Sequence, residues 1–293
     1  MSTFRERLGQ HVVGVGNLML VHSRILGAAI GLVLTFLGTL TLAAPKSEVI
    51  PFWDVSDESN TTQVDHSEWQ QLLDEYLEEH ESGINRFDYG ALKEDEEDFK
   101  LLVDYLLRLS DLDPRSFAKA EQLPYWINFY NALTVYIVTE RYPVKSIKDI
   151  KSGTFDFGPW NLKLATIQDQ QITLNNIEHG ILRPIWKDSR IHYALNCASL
   201  GCPNLATTAY RSDNIEELLE AGARAYINHP RGVSIKKNRL VVSSIYDWYR
   251  DEFEGSNAGV LAHLRKYANP DLAEQLKEFK KFKHEYDWKL NAP

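Results

Sequence analysis

At 293 residues, 44% hydrophobic and 25% charged, the chain has the composition of a globular protein with enough apolar residues for a sizeable core. Its formal net charge of −9, without any Lys/Arg-rich run, excludes the clustered basic surface that nucleic-acid binding requires. Two cysteines are too few for a disulfide scaffold.

The first feature in chain order is Ile25 to Ala44, twenty residues without a charge, preceded by Arg5, Arg7 and Arg24. Small residues at Ala43 and Ala44 fit a signal-peptidase site, and the apolar length also suffices to span a bilayer. Residues 1–44 are therefore expected to be a signal peptide or a membrane anchor. Either way the positive-inside rule sends the bulk of the chain across the cytoplasmic membrane, to a periplasmic or membrane-anchored location. Membrane contact through residues 25–44 is expected if the segment is not cleaved. Its net charge of +2, taken from −9, leaves the exported body at −11, with no affinity for anionic lipid.

Residues 45–66 are polar and turn-rich and read as a tether. A helix is expected over Ser67 to Glu81, with Trp69, Leu72, Leu73, Tyr76 and Leu77 on one face and Gly83 as its stop. Phe99 to Leu109 is a second helix, closed by Asp111 and Pro114. Pro124 opens a third, apolar on nearly every face and therefore central and buried. Asn128 and Asn131 share one side of it. Buried amides need partners, so they hold a neighbouring loop or contact a ligand.

Gly153 to Pro159 is a Gly- and aromatic-rich loop. Leu162–Ile167 and Gln171–Leu174 form a hairpin, and a short helix over Ile177–Arg183 puts His179 and Arg183 one turn apart, with Glu178 on an adjacent face. Arg190 to Cys197 alternates like a strand. A helix follows from the capping-box spacing at Asp213–Glu216. Val233–Ile235 and Leu240–Ser243 make a second hairpin, and Tyr246 to Phe253 is a short aromatic helix. Two more helices are expected near Val260–Tyr267 and Asp271–Lys280, and His284–Leu290 is a last strand. The fold class is α+β: a single mixed domain over 67–293 with helices around short antiparallel hairpins.

Both cysteines lie in the stretch from His192 to Pro203, the best candidate for a site. Cys197, where the strand gives way to the small-residue turn Ala198–Gly201, is a thiol nucleophile, an inert buried residue, or half of a Cys197–Cys202 disulfide. Five residues along a strand would put His192 and Cys197 on opposite faces, roughly 16 Å apart from the rise per residue, so either the strand bends or the base comes from elsewhere. His179 with Glu178 as its orienter is the first alternative. Metal is not expected, because the spacing of His179, His192, Cys197 and Cys202 matches no zinc pattern. No glycine fingerprint, P-loop or G-x-S-x-G elbow supports a nucleotide enzyme or serine hydrolase, and no cofactor is expected.

Four separated motifs carry a resemblance: Tyr125–Ala132, Leu174–Arg183, Arg190–Pro203 and Tyr246–Tyr249 before Asp251 and Phe253. In this order they resemble the domain of unknown function family 547, over about residues 65 to 290. The resemblance implies that Trp126, Asn128, Asn131, Glu178, His179, Arg183, His192, Asn196, Cys197, Cys202 and Pro203 fall on the family's pattern, and that bacterial members are often exported. Asn85–Tyr89 departs from a usually shorter Val-Asp-Tyr segment. The expectation is an exported thiol-dependent hydrolase or acyl transferase acting on a small-molecule or peptide substrate. Cys197 is its nucleophile, His179 or His192 its base, Glu178 the orienter, and Asn128, Asn131 and Arg183 the substrate wall. The alternative is a non-catalytic binding or structural envelope module with a Cys197/Cys202 disulfide turn.

Overall fold

The computed structural model describes residues 45–151, 153 and 157–293. The expected signal or anchor segment and part of the Gly153–Pro159 loop lie outside the described residues. No helix among the described residues is long and apolar enough to cross a membrane.

Helix α1, Ser67–Tyr76, buries Trp69, Leu72, Leu73 and Tyr76 at the expected spacing. It stops five residues before the expected end. The chain turns extended at Leu77, and strand β1 (Leu77–Glu78) pairs antiparallel with β2 (Arg86–Phe87), a ladder whose shortness hid it from sequence periodicity. Helix α2, Tyr89–Glu94, is capped by Asp88. Helix α3, Glu96–Asp111, starts where the Asp95 carboxylate accepts from the N–H groups of Glu97 and Asp98, with three acidic residues in its positive first turn.

The central helix α4, Lys119–Arg141, is buried on every face from Glu121 to Thr139. It begins five residues before Pro124, which therefore sits inside the helix instead of opening it. A proline there forfeits one hydrogen bond and crowds a carbonyl four residues back, a local cost that the burial of Leu123, Tyr125, Trp126 and Ile127 around it overcomes at roughly 1.5–3 kcal/mol per large side chain.

Strands β3 (Ala165–Ile167) and β4 (Gln170–Ile172) form the first expected hairpin. Its two turn residues, Gln168 and Asp169, have φ of 47° and 59°, the paired positive values of a type I′ turn. The chain then enters a π-helical segment, Asn176–Leu182, and helix α5, Arg183–Trp186. The expected strand from Arg190 to Cys197 is absent: Ser189–Tyr193 is a 3₁₀ turn, capped by the Asp188 carboxylate. Ile191 through Asn196 are all buried in succession, so the sequence alternation there corresponds to no alternation of environment.

After helix α6, Ile215–Ile227, strands β5 (Val233–Lys236) and β6 (Arg239–Ser243) form the second hairpin. Helices α7 (Ile245–Trp248), α8 (Asn257–Tyr267) and α9 (Pro270–Gln275) follow. The last strand, β7 (Lys283–Glu285), pairs with β6 in parallel, so the sheets are not all antiparallel hairpins. The mixed α+β class holds with that correction.

Two apolar clusters make up the core. The larger surrounds α4, and the smaller gathers Tyr193, Tyr226, Val242, Tyr246, Phe253 and Leu264 between α6, the three-stranded sheet and α8. Tyr193 reaches into the smaller cluster while its neighbours Ile191 and Ala194 stay in the larger, and the chain crosses to the smaller one within α6, between Leu219 and Ala223. Residues 45–66, expected as a polar tether, are packed on the body. Glu48 and Ile50 donate backbone N–H bonds to the carbonyls of His179 and Gly180, and Trp53 and Val64 are buried in the larger cluster. The described fold thus starts well before residue 67.

Candidate active site

The loop carrying Cys197 is held from below by α4. The Asn131 amide donates to the Ala194 carbonyl (2.9 Å) and accepts from the Asn196 N–H (2.9 Å), bracketing Leu195. One turn earlier, Asn128 does the same to the backbone of Tyr210, donating to its carbonyl (2.7 Å) and accepting from its N–H (3.0 Å). Both amides are engaged through nitrogen and oxygen alike and are almost fully buried, which makes them clamps for two loops where the expectation put them on a substrate wall. Asn196 in turn accepts from the Ala198 N–H (2.8 Å) and donates to the Pro203 carbonyl (2.8 Å). Ala198 is thereby held at φ 57°, a left-handed conformation that a Cβ disfavours.

The open side of the loop is closed by the chain's C-terminal segment. Leu200 and Gly201 donate to the carbonyls of Lys289 and Asp287 at 2.8 Å each, and Ser199 bridges to Leu290. A Cβ on Gly201 would meet the Asp287 backbone at 2.8 Å, so only glycine allows this approach. The pairing delivers Tyr286 to the thiol. Cys197 Sγ lies 3.1 Å from the Tyr286 hydroxyl, 3.2 Å from Ser199 Oγ and 2.8 Å from Cys202 Sγ. Both cysteines are free. Burial pushes the Cys197 thiol up, but hydrogen bonds from Cys202, Ser199 and Tyr286 outweigh it and leave the group below the ordinary thiol range. For Cys202, burial and the adjacent Cys197 charge act together and raise it well above that range. The pair is therefore asymmetric: Cys197 ionises more readily than an ordinary thiol, and Cys202 holds its proton more tightly.

The second group of predicted residues forms a buried polar cluster around the π-helical segment. Glu178 accepts from the hydroxyls of Tyr249 (2.7 Å) and Tyr130 (3.2 Å). Burial pushes its carboxyl up, but the charges of His179, His192 and Arg183 and the Tyr249 bond hold it below the usual range. Arg183 donates to Glu252 (2.6 Å), to His179 Nδ1 (2.5 Å) and to the Pro45 carbonyl (3.1 Å), and it stacks on Tyr249 at 4.5 Å. Its guanidinium is engaged on all sides, so it positions neighbours instead of lining a substrate wall. Burial lowers His179, and because an arginine can only donate, Nδ1 is the acceptor atom of that ring.

His192 Nε2 lies 2.7 Å from Glu252, and its ring stacks on Tyr249 at 4.0 Å. Burial would push the Glu252 carboxyl up, but the hydrogen bonds and charges of His192 and Arg183 hold it at about 2. Glu252 is thus ionised and its partner Nε2 donates, which leaves Nδ1 as the basic atom of His192. Glu252, not Glu178, is the orienter of this histidine.

Glu178, His179, Arg183 and His192 are therefore brought together in one buried cluster. Cys197 is set beside them. Its sulfur bonds to no histidine among the described residues, and the link between the groups is electrostatic, since the Glu178 charge works against the thiolate and the Cys197 charge raises Tyr130 and Tyr249. Glu252, Tyr249, Tyr130, Ser199 and Tyr286 were missed. In the sequence Tyr246–Phe253 reads only as a short aromatic helix, and Tyr286 lies in an isolated strand pattern with nothing to connect it to a cysteine 89 residues earlier. Among the described residues no group of three or more His, Cys, Asp or Glu side chains is arranged to hold a metal ion.

No curated protein and no solved structure matches the chain. A family model does match, over a narrower span than the 65–290 of the sequence resemblance. It takes in α4, the π-helical segment, the cysteine loop and α6, and ends before β5, Glu252 and Tyr286. Residues 114–227 of the chain match the model of the family described as protein of unknown function, DUF547.

Proposed function

We propose that the protein is a thiol-dependent hydrolase or acyl transferase in which Cys197 is the nucleophile. The observation that carries this reading is the convergence of three hydrogen-bonding groups, the Ser199 and Tyr286 hydroxyls and the Cys202 thiol, on one part-buried sulfur. A preformed thiolate attacks a carbonyl carbon without waiting for a base. The sulfur–carbon bond forms as the carbonyl electrons move to oxygen. Collapse then expels an amine or alcohol, which takes a proton, and leaves a thioester. Water or an acceptor hydroxyl or amine then attacks the thioester, and His192, its Nε2 fixed on Glu252, is the group suited to take that proton. His179, tied to Arg183 and lowered by burial, is less suited. The test is labelling with iodoacetamide at neutral pH. Cys197 is expected to react faster than a free thiol, and a rate no faster than that of free cysteine would sink the enzyme reading.

A second reading is favoured by the 2.8 Å separation of the two sulfurs, which puts them within reach of a disulfide. Oxidation would convert the site into the locked turn of a non-catalytic envelope module. The export that would supply an oxidising compartment rests on residues 25–44 alone. Fractionating cells and counting free thiols in the recovered protein separates the readings: two thiols favour the enzyme, none the module. Amino-terminal sequencing of the same sample reports whether residues 1–44 are removed.

A further inference from the structure

Tyr286 has two faces to account for. Its hydroxyl touches Cys197, and its side chain also lines a cavity of about 220 Å³ bounded by Gly201, Arg231, Ser234, Lys236, Glu285 and Asp287. Four charged residues line this cavity, Arg231, Lys236, Glu285 and Asp287, and only two of them are paired with each other. Lys236 is neutralised by Glu285 at 2.9 Å. Arg231 has only neutral partners: Nη2 donates to the Asn204 side chain (2.6 Å), Nη1 makes a long contact to the Leu200 carbonyl (3.4 Å), and the buried Nε has no partner. No carboxylate among the described residues is in ion-pair contact with it.

We propose that this cavity is the subsite for a carboxylate group of the substrate, with Arg231 as the residue that binds it and Tyr286 as the wall between that group and the Cys197 sulfur. The assignment rests on Cys197 being the reactive thiol. A guanidinium without a counter-charge is the side chain best suited to grip a carboxylate, because it offers parallel N–H donors and full charge. Burial, together with the charge of nearby Arg86, holds Arg231 below its ordinary pKa, which is the sign expected of a cation short of negative charge. Arg86 is itself in no ion pair among the described residues. The substrate class is therefore an acyl compound or peptide carrying a free carboxylate a short chain away from the carbonyl that reacts.

The experiment compares two alkylating probes on the full protein, N-iodoacetylglycine and N-iodoacetylglycinamide. They differ only in a terminal carboxylate against a carboxamide, and in both the sulfur displaces iodide from the same carbon. The carboxylate probe is expected to label Cys197 about tenfold faster or more, in line with a charge-assisted pair, with saturation and with protection by succinate. Arg231→Gln should reduce that ratio to near one, whatever the absolute rates, with a circular dichroism spectrum and urea midpoint close to those of the unaltered protein reporting that the chain is still folded. Arg231→Lys should keep part of the preference. Equal rates for the two probes in the unaltered protein overturn the subsite and leave the nucleophile standing. A preference that survives Arg231→Gln overturns the assignment to Arg231. If neither probe outpaces free cysteine, the thiol reading fails and the subsite falls with it.

Discussion

Cys197 derives its character from residues far away in sequence, and each contribution can be removed singly. Tyr286→Phe deletes one hydroxyl and keeps the ring, so it strips a donor from the sulfur without opening a cavity. The midpoint of the pH–labelling curve should move upward, toward that of an ordinary thiol, and Ser199→Ala should do the same. A midpoint that stays in place in both variants would mean that the hydroxyls do not bond to the thiolate. Cys202→Ser should shift it less, because a serine hydroxyl at that position still donates, and it also abolishes any disulfide. At this scale the sequence was partly legible. The reactive residue types around 178–202 could be named because they are rare and clustered. The partners at 249, 252 and 286 could not, since a tyrosine in an aromatic run carries no mark of what its hydroxyl meets after folding.

The helix α4 turns two asparagines into clamps, and this arrangement predicts a stability cost with a functional signature. Asn131→Ala would leave the Ala194 carbonyl and the Asn196 N–H buried without partners, a loss of about 1–3 kcal/mol for each group left unpaired. Urea denaturation should register a destabilisation of that order, and labelling of Cys197 should slow because the backbone of Asn196, whose side chain holds Ala198, is no longer pinned to α4. Asn128→Ala should destabilise similarly while changing the labelling rate much less, since it clamps Tyr210 instead. Equal labelling rates in unaltered protein and Asn131→Ala would show that the loop is set by its C-terminal pairing alone. The helix itself was readable, since an all-round apolar run of its length has to be central. What misled was the stretch after it. Alternation from Arg190 to Cys197 predicts a strand when one face is wet, but here both faces are buried and the Asp188 cap closes a 3₁₀ turn instead. The geometric objection to a His192–Cys197 pairing depended on that strand and disappears with it, although the two side chains still do not bond.

The described molecule is two apolar clusters that the chain joins through Tyr193 and helix α6, and several ionisable groups are buried in it, so its stability should depend on pH in two steps. His66, bonded to the Tyr105 hydroxyl at 2.7 Å, is lowered to about 4 by burial assisted by Arg108, and burial, with the charges of Lys266 and His192, likewise lowers His263 to about 4. An unfolded imidazole takes its proton near 6.5, whereas these two resist until about 4. Between those values the unfolded chain binds more protons than the folded one, so stability falls as pH falls through this window and is flat above it. Glu252 acts later. Its carboxylate is held at about 2 against an ordinary 4.5, so its contribution is complete above 4.5 and is lost as the pH drops toward 2. His66→Phe should therefore flatten part of the slope from pH 6.5 to 4 and leave the lower step intact. Glu252→Gln should flatten the lower step and also reduce stability at neutral pH, because Arg183 and His192 lose their shared carboxylate. Urea unfolding at pH 7, 5 and 3 checks both, and a stability that does not change between pH 6.5 and 4 would show that the buried histidines accept protons without unfolding. The same two variants separate scaffold from site: His66 lies on the α1 side, far along the chain from the cysteine loop, so its replacement should leave Cys197 labelling unchanged. Glu252→Gln should slow acyl turnover by freeing His192 from its fixed tautomer.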